Sequence, residues 1–349
     1  MTQGQALTIL KTGANVFLTG EPGSGKTHTI RTYISYLREH AIEPAITAST
    51  GIAATHLHGM TIHAWSGLGI KNSLNAYDLD ALSTKEYLVR RINNAKVLII
   101  DEVSMLSAQT LSMVDVVCRT IRGNPEPFGG LQVILVGDFF QLPPINKLGS
   151  VNQFAYQSPS WKSLKLITCY LTEQHRQADA SLLSLLSAIR SNSLEDFHHE
   201  ELQSRTRNNK KVSDSVTQLF TKNIAVDQLN DEKLMSLPGK EELYTMDTKG
   251  SASLVEGLKK GCLSPEVLRL KKDAVVMCTK NNPQAGFANG TLGRVIDFER
   301  GTRYPIIETN DGRKITLPHM EWVVEEDGKV KARISQIPLR LAWAITVHK

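Results

Sequence analysis

The chain has 349 residues, 41% hydrophobic and 21% charged, with a net charge of +5. That is an ordinary globular composition with room for two or three domains, and it excludes a low-complexity or repeat protein. No apolar run reaches membrane-spanning length; the four cysteines, Cys118, Cys169, Cys262 and Cys278, form no C-x-x-C pair, which argues against structural zinc or a disulfide framework.

The mild, dispersed positive charge permits a nucleic-acid partner without indicating one. The N-terminus carries neither a signal peptide nor an Arg-rich transit segment. The expectation is a soluble intracellular protein with free thiols.

Residues 1–14 read as a short helix, in which Gln3 or Gln5 is placed to meet an adenine edge. A buried strand over 15–19 follows. Then comes Gly20-Glu21-Pro22-Gly23-Ser24-Gly25-Lys26-Thr27, which matches G-x-x-x-x-G-K-[ST], and Ile30, Tyr33, Ile34 and Leu37 mark one face of a helix. Strand, glycine-rich loop and helix are the context that this motif requires. Backbone N–H groups around Gly23 and Gly25, with the helix start, suit phosphate oxygens. Lys26 suits the β- and γ-phosphates, and the Thr27 hydroxyl a magnesium ion. The stretch predicts a site for ATP with Mg2+.

A strand over 45–48 leads into the small-residue loop 47–54, where hydroxyls and Gly51 allow close approach to phosphate. Within 59–65, His63 and Trp65 read alone point more to packed core than to ligand contacts. Residues 97–100 predict a buried parallel strand that ends in Asp101 and Glu102. Ligands of open α/β sheets bind at that end. Asp101 suits magnesium, and Glu102 suits orienting and deprotonating water. A helix near 111–121 and a buried strand over 131–136 precede Gly137-Asp138-Phe139-Phe140-Gln141-Leu142-Pro143-Pro144. Gln141 falls at the same sheet edge as Glu102, near a γ-phosphate. Phe139 and Phe140 suit either core packing or a stacking face.

Arg176 stands near an expected boundary between two lobes, where it suits reaching a γ-phosphate or making a surface salt bridge. A helix over 180–191 precedes a polar stretch, 191–215, that reads as a surface loop or linker. A strand over 216–220 and a helix over 223–235 follow. From about residue 272 short alternating strands take over, at 274–278, 291–298, 304–309 and 314–317, with hairpin signals at 310–312 and 327–328. They suggest a small inserted β-barrel.

The ordered set resembles superfamily-one DNA helicases of the petite-integration-frequency (PIF) and RecD-like branch. The matching stretches are the Gln3 region, 20–27, 47–54, 59–65, 101–105, 137–144, 172–177 and 336–349, and together they cover nearly the whole chain. The resemblance implies two RecA-like P-loop lobes with an inserted SH3-like barrel. The first lobe would span 1–175, with a wedge near 55–75. The second would comprise 176–271 and 335–349, and the barrel 272–334. It implies Gln3 at adenine, Lys26 and Thr27 at phosphate and magnesium, Asp101 at magnesium and Glu102 at the water. Gln141 would sense the γ-phosphate, Arg176 would be an arginine finger, and Thr50, Gly51, Thr61 and His63 would touch the tracked strand. It further implies a monomeric, ATP-dependent helicase moving five-prime to three-prime on single-stranded and forked DNA. Its place would be DNA repair, recombination or replication, in the cytoplasm at the nucleoid, or in the nucleus or mitochondrion of a eukaryote. The family pattern continues beyond His348-Lys349, so the expectation is a fragment or truncated product that binds single strands weakly and unwinds nothing. The alternative function is an ATP-binding single-strand clamp or an inactive fragment; a small-molecule kinase is the weaker rival.

Overall fold

The computed structural model describes residues 1–57, 59–69, 71, 73–144, 153–173, 180–206, 216–282, 284–326 and 329–347. The chain divides into two compact units, residues 1–207 and 208–349.

The first unit runs α1 (Gln3–Lys11), β1 (Val16–Gly20), α2 (Lys26–Glu39), β2 (Ala45–Ala48), α3 (Gly51–His56), β3 (Met60–Thr61) and α4 (Ile62–Trp65). It continues with α5 (Ala76–Ser83), α6 (Glu86–Asn94), β4 (Val97–Asp101), α7 (Ala108–Arg122), β5 (Gln132–Val136), α8 (Pro159–Ser163), β6 (Ile167–Leu171), α9 (Ala180–Ser191) and α10 (Asp196–Arg205). The six strands lie in the order β3-β2-β4-β5-β1-β6, every neighbouring pair parallel. Their carboxyl ends therefore share one edge.

Alternation along the strands feeds two cores, as a period of two dictates. Val16, Leu18, Val97, Ile99, Ile134 and Val136 pack with Leu10, Ile30, Tyr33 and Ile34 of α1 and α2. Phe17, Leu98, Ile100, Val133 and Leu135 pack on the other face with Leu88, Leu111 and Val114. Ile62, Trp65 and Leu68 join that second core, so the stretch expected as a wedge contributes its apolar side chains to the body of the unit. Trp65, 3% exposed, is core.

The first compact unit runs to residue 207. Helices α9 and α10 go with the first unit, and the Ser184 hydroxyl meets His198 Nε2 at 3.1 Å between them. Helix α10 also corrects the reading of 191–215 as loop. It has no apolar periodicity and starts where the Glu195 N–H donates to His198 Nδ1 at 3.1 Å, a local arrangement that hydrophobic patterning does not report.

Asp115 of α7 is a buried hub. It accepts from Arg119 Nε and Nη2 at 2.7 and 2.9 Å, from the Phe128 N–H at 2.7 Å and from the Ser160 hydroxyl at 2.7 Å. Asp115→Ala would leave a buried N–H and hydroxyl without their acceptor. The expected destabilisation is about 3 kcal/mol, at the low end for a buried charge network because Arg119 keeps access to water. Urea denaturation checks it; a change below about 1 kcal/mol would show the hub to be dispensable.

In the second unit come β7 (Gln218–Phe220), α11 (Asn223–Ser236), β8 (Glu242–Thr245), β9 (Asp247–Gly250), α12 (Ala252–Gly261), β10 (Val267–Leu270) and β11 (Val275–Cys278). They are followed by β12 (Leu292–Phe298), β13 (Pro305–Thr309), β14 (Lys314–Thr316), β15 (Met320–Glu326), β16 (Lys329–Gln336), β17 (Leu339–Leu341) and β18 (Ala344–Thr346). The expected short strands are present within a residue or two. All four lie in the five-stranded sheet β14-β13-β12-β11-β17, while β15, β16 and β9, which were not among the expected strands, form a three-stranded sheet β15-β16-β9. The hairpin signal at 310–312 joins β13 to β14, with Gly312 at φ 84°. The one at 327–328 lies outside the described residues.

The apolar run 341–347 is not a single strand. β17 pairs antiparallel with β11, and β18 pairs parallel with β7. The switch is held by Asn230, whose amide donates to the Ala344 carbonyl and accepts from its N–H, both at 3.0 Å. No described helix is long and apolar enough to cross a membrane. Cys118, Cys169 and Cys278 are buried free thiols and Cys262 is partly exposed.

Candidate nucleotide site and nucleic-acid edge

Gly25 caps α2 at φ 87°, and no side chain caps the helix start. The first helical bond is Thr29 N–H to Gly25 O at 2.9 Å. The amides of Lys26, Thr27 and His28 are thus left as donors at a positive helix end, which is what a phosphate requires. A Cβ on Gly25 would sit 2.1 Å from Gln3 Nε2, a side-chain end that could swing aside, so it is the positive φ that favours glycine here. Among the described residues the buried Ser24 hydroxyl has no hydrogen-bond partner. These residues fit a nucleoside triphosphate.

Lys26 Nζ donates to the Gly20 and Glu21 carbonyls at 2.9 and 3.1 Å. Burial lowers its pKa and Arg190 adds to that, while Asp138, Glu102 and Asp101 oppose it. Lys26 therefore shares its field with all three carboxylates.

Asp101 ends β4, 8% exposed, and accepts the Glu102 N–H at 2.8 Å. Burial, then the Glu102 charge, push its pKa up to about 6. A divalent cation would supply the missing countercharge. Among the described residues no cluster of three His, Cys, Asp or Glu could hold a metal by itself. Magnesium keeps few protein ligands, and a carboxylate such as Asp101 at the end of β4 is of the type it takes. Glu102 takes φ 52° and ψ 44°, a left-handed conformation rare outside glycine. The turn is tied to β2 by the Ser49 hydroxyl donating to the Glu102 carbonyl at 2.8 Å.

Ionised, buried Asp101 costs stability. A group raised from 3.8 to about 6 in the fold favours the folded state below about pH 4 and loses that benefit as pH rises through 6. In magnesium-free buffer Asp101→Asn, which still accepts the Glu102 N–H, should therefore be more stable than the unaltered chain at pH 7.5, by up to about 3 kcal/mol. The gain should shrink at pH 5. Equal melting temperatures at pH 7.5 would show that Asp101 carries no such penalty.

Gln141 follows β5 in the turn 138–141. Its Nε2 donates to Asp138 Oδ2 at 3.3 Å, and its N–H to the Asp138 carbonyl at 2.9 Å. Phe139 packs on Phe17 and Trp161 at ring distances of 5.4 and 5.6 Å, whereas Phe140 is 72% exposed. Gln3 lies against the phosphate loop, with Nε2 3.4 Å from the Ser24 carbonyl. Gln5 is instead used in the α1 capping box. Arg176 lies outside the described residues.

Sequence reading missed Asp138 and Arg190. Asp138 is 1% exposed and accepts from Arg190 Nη1 at 2.7 Å and the Phe140 N–H at 3.1 Å. Burial pushes its pKa up, but Arg190 and that N–H outweigh burial and hold it below the usual range. Arg190 is a charged residue in the last turn of α9 and carries no motif that could have revealed it.

Farther along the same sheet edge, Thr50 caps α3, accepting the Ala53 N–H at 3.3 Å, and Thr61 caps α4, accepting the Ala64 N–H at 3.2 Å. Pairing of Ala48 with Thr61 sets the two strand ends side by side. Among the described residues neither hydroxyl donates its own hydrogen to a protein acceptor. His63 is half-buried, and burial lowers its pKa, so the ring is neutral at pH 7. Gly51 opens α3. The structure thus gathers the phosphate loop, Asp101, Glu102 and Gln141 at the ends of β1, β4 and β5, and Thr50, Gly51, Thr61 and His63 at those of β2 and β3.

A family model described as PIF1-like helicase matches residues 5–206, and one described as DNA helicase Pif1, 2B domain, matches 253–298. The chain is 41% identical to the ATP-dependent DNA helicase Pif1 of Psychrobacter sp. (strain PRwf-1), over 100% of this chain and 62% of that protein. It is 34% identical to the human ATP-dependent DNA helicase PIF1, over 99% of this chain and 54% of that one. It thus spans little more than half the length of these relatives. Among solved structures, Pif1 helicase from Candida albicans superimposes with a TM-score of 0.79 at 31% identity, covering 99% of this chain and 85% of that one. Pif1 from Bacteroides sp. in complex with ADP-AlF4 does so with a TM-score of 0.81 at 27% identity, covering 99% and 82%.

Proposed function

Since the chain belongs to the PIF1-like helicase family, we propose that it is the motor part of an ATP-dependent DNA helicase. It would track single-stranded DNA from five-prime to three-prime and unwind forked duplex in repair, recombination or replication. The observation that carries this reading is the shared sheet edge. Phosphate loop and acids stand at β1 and β4, with hydroxyls for a nucleic-acid backbone on the strands beyond β4.

In this reading Lys26 and the amides of residues 23–27 hold the phosphates, with Gln3 at the base. Thr27 and Asp101 hold magnesium. Glu102 takes the proton of the attacking water, Gln141 senses the γ-phosphate and Arg176 supplies a finger. Thr50, Gly51, Thr61 and His63 hold the strand. The first RecA-like lobe is the six-stranded unit. The parallel pair β18–β7 represents the second lobe in part, and the sheets around 272–334 are the SH3-like insert; the match of the 2B-domain model supports that last assignment. The protein would act as a monomer in the cytoplasm, at the nucleoid.

The test is anisotropy of a labelled single-stranded oligonucleotide. Affinity should fall steeply between about 50 and 200 mM salt, as bonding to phosphates dictates. Combined Thr50→Ala and Thr61→Ala should weaken binding about tenfold, the effect of removing two hydroxyl donors. Unchanged affinity in that double variant would remove DNA from this edge.

A further inference from the structure

We infer that Arg190 positions Gln141 for γ-phosphate sensing, acting through Asp138. The inference rests on the nucleotide-binding reading above and adds a residue that reading does not use.

The geometry is that of a clamp with one shared atom. Asp138 Oδ2 accepts from Arg190 Nη1 at 2.7 Å and from Gln141 Nε2 at 3.3 Å. Its other oxygen accepts the Phe140 N–H at 3.1 Å. The guanidinium also lies 4.3 Å from the centre of the Phe140 ring. Phe139 anchors the turn in the core and the Gln141 N–H closes it on the Asp138 carbonyl, but Phe140 is 72% exposed, so apolar packing does not aim the Gln141 side chain. Among the described residues the side-chain partner of its amide is the buried carboxylate that Arg190 orients.

A buried ion pair adds little net stability compared with apolar packing, so its presence is weak evidence of a stabilising role. Its place matters more. Ser187 lies one turn before Arg190 on the same face of α9, and its hydroxyl is 3.2 Å from both carboxylate oxygens of Glu21 in the phosphate loop. One turn of α9 therefore touches the phosphate loop and the sensor turn together. Arg190 also acts electrostatically on Lys26. Without Arg190, the Phe140 N–H still holds one oxygen of Asp138, but Oδ2, the oxygen that accepts from Gln141, loses the cation that fixes it.

The experiment compares ADP and ATPγS affinity, each with magnesium, by displacement of a fluorescent nucleotide from the full chain. It needs no turnover. Arg190→Gln and Gln141→Ala should each reduce the preference for ATPγS over ADP about tenfold, the scale of one charge-assisted hydrogen bond. The double variant should lose no more than either alone, because both changes break one linkage. ADP affinity should stay within about twofold, which also shows that the variants fold. Arg190→Lys keeps a cation beside Asp138 but cannot lie flat on Phe140. It should lose about threefold, and it carries the test alone if Arg190→Gln does not fold.

Additive losses, an equal loss for ADP, or an unchanged preference in the variants would overturn the inference and leave the nucleotide site standing. If the unaltered chain bound neither nucleotide, the nucleotide-binding reading would fall and take this one with it.

Discussion

Replacing Lys26 with alanine is expected to weaken ATP binding at least about a hundredfold while leaving the fold intact. The ammonium is the cation at the phosphate loop, and charge-assisted bonds to phosphate contribute roughly twice what neutral ones do. Removing two such bonds together corresponds to about 3 kcal/mol, or a hundredfold in affinity. The fold should survive for a local reason. Among the described residues Lys26 bonds only to the carbonyls of Gly20 and Glu21, which water can satisfy at a half-open loop, and alanine favours the first turn of α2. Titration of a fluorescent ATP analogue, with a thermal melt alongside, checks both halves. Unchanged affinity would dismiss residues 20–27 as the phosphate site; lost affinity with a lost melt would mean that Lys26 is structural.

Glu102→Gln should separate binding from chemistry. Glu102 is held in the left-handed region at φ 52° by the turn that leaves β4, and Ser49 fixes its carbonyl at 2.8 Å. Strain of that sort, of order 1–3 kcal/mol, persists where surrounding contacts impose it. Glutamine keeps the shape and cannot take a proton. ATP affinity should therefore stay within about threefold, while single-strand-stimulated hydrolysis falls at least about a hundredfold, the usual scale for a missing general base. Phosphate release and analogue binding, measured on the same preparation, decide it. A collapse of affinity instead would make Glu102 a binding residue. The Asp101 charge that Glu102 helps to penalise should also be relieved, so the variant is expected to melt slightly higher in magnesium-free buffer.

The two experiments differ in what they can overturn. Failure of the first removes the nucleotide from residues 20–27. Failure of the second keeps it and reassigns only the base.

Much of the first unit was legible in the order of its residues. Residues 20–27 force a strand–loop–helix because the chemistry needs glycines without Cβ atoms, a cation and a hydroxyl at fixed spacing. Residues 97–102 end a wholly apolar strand in two acids, and a strand so apolar has to be central in a parallel sheet. Thr50 and Thr61 were legible as small hydroxyl residues in loops, although not as caps of two short helices on adjacent strands. Four strands of the β-rich part were legible from alternation and turn residues, but β15, β16 and the division into two sheets were not.

What only the tertiary structure decided involves partners distant in sequence. Asp138 and Arg190 are 52 residues apart, and neither has a periodicity or neighbour that announces the other. Asn230 bridges Ala344 across 114 residues and so splits one apolar run between two sheets. Helix α10 is absent from the hydrophobic pattern because its start is held by a His198–Glu195 contact and its side by Ser184. Sequence periodicity reports which face of an element is apolar, a property each residue carries by itself. The pairing of buried polar groups depends on where separate elements come to rest, and that is set by the packing of the whole unit.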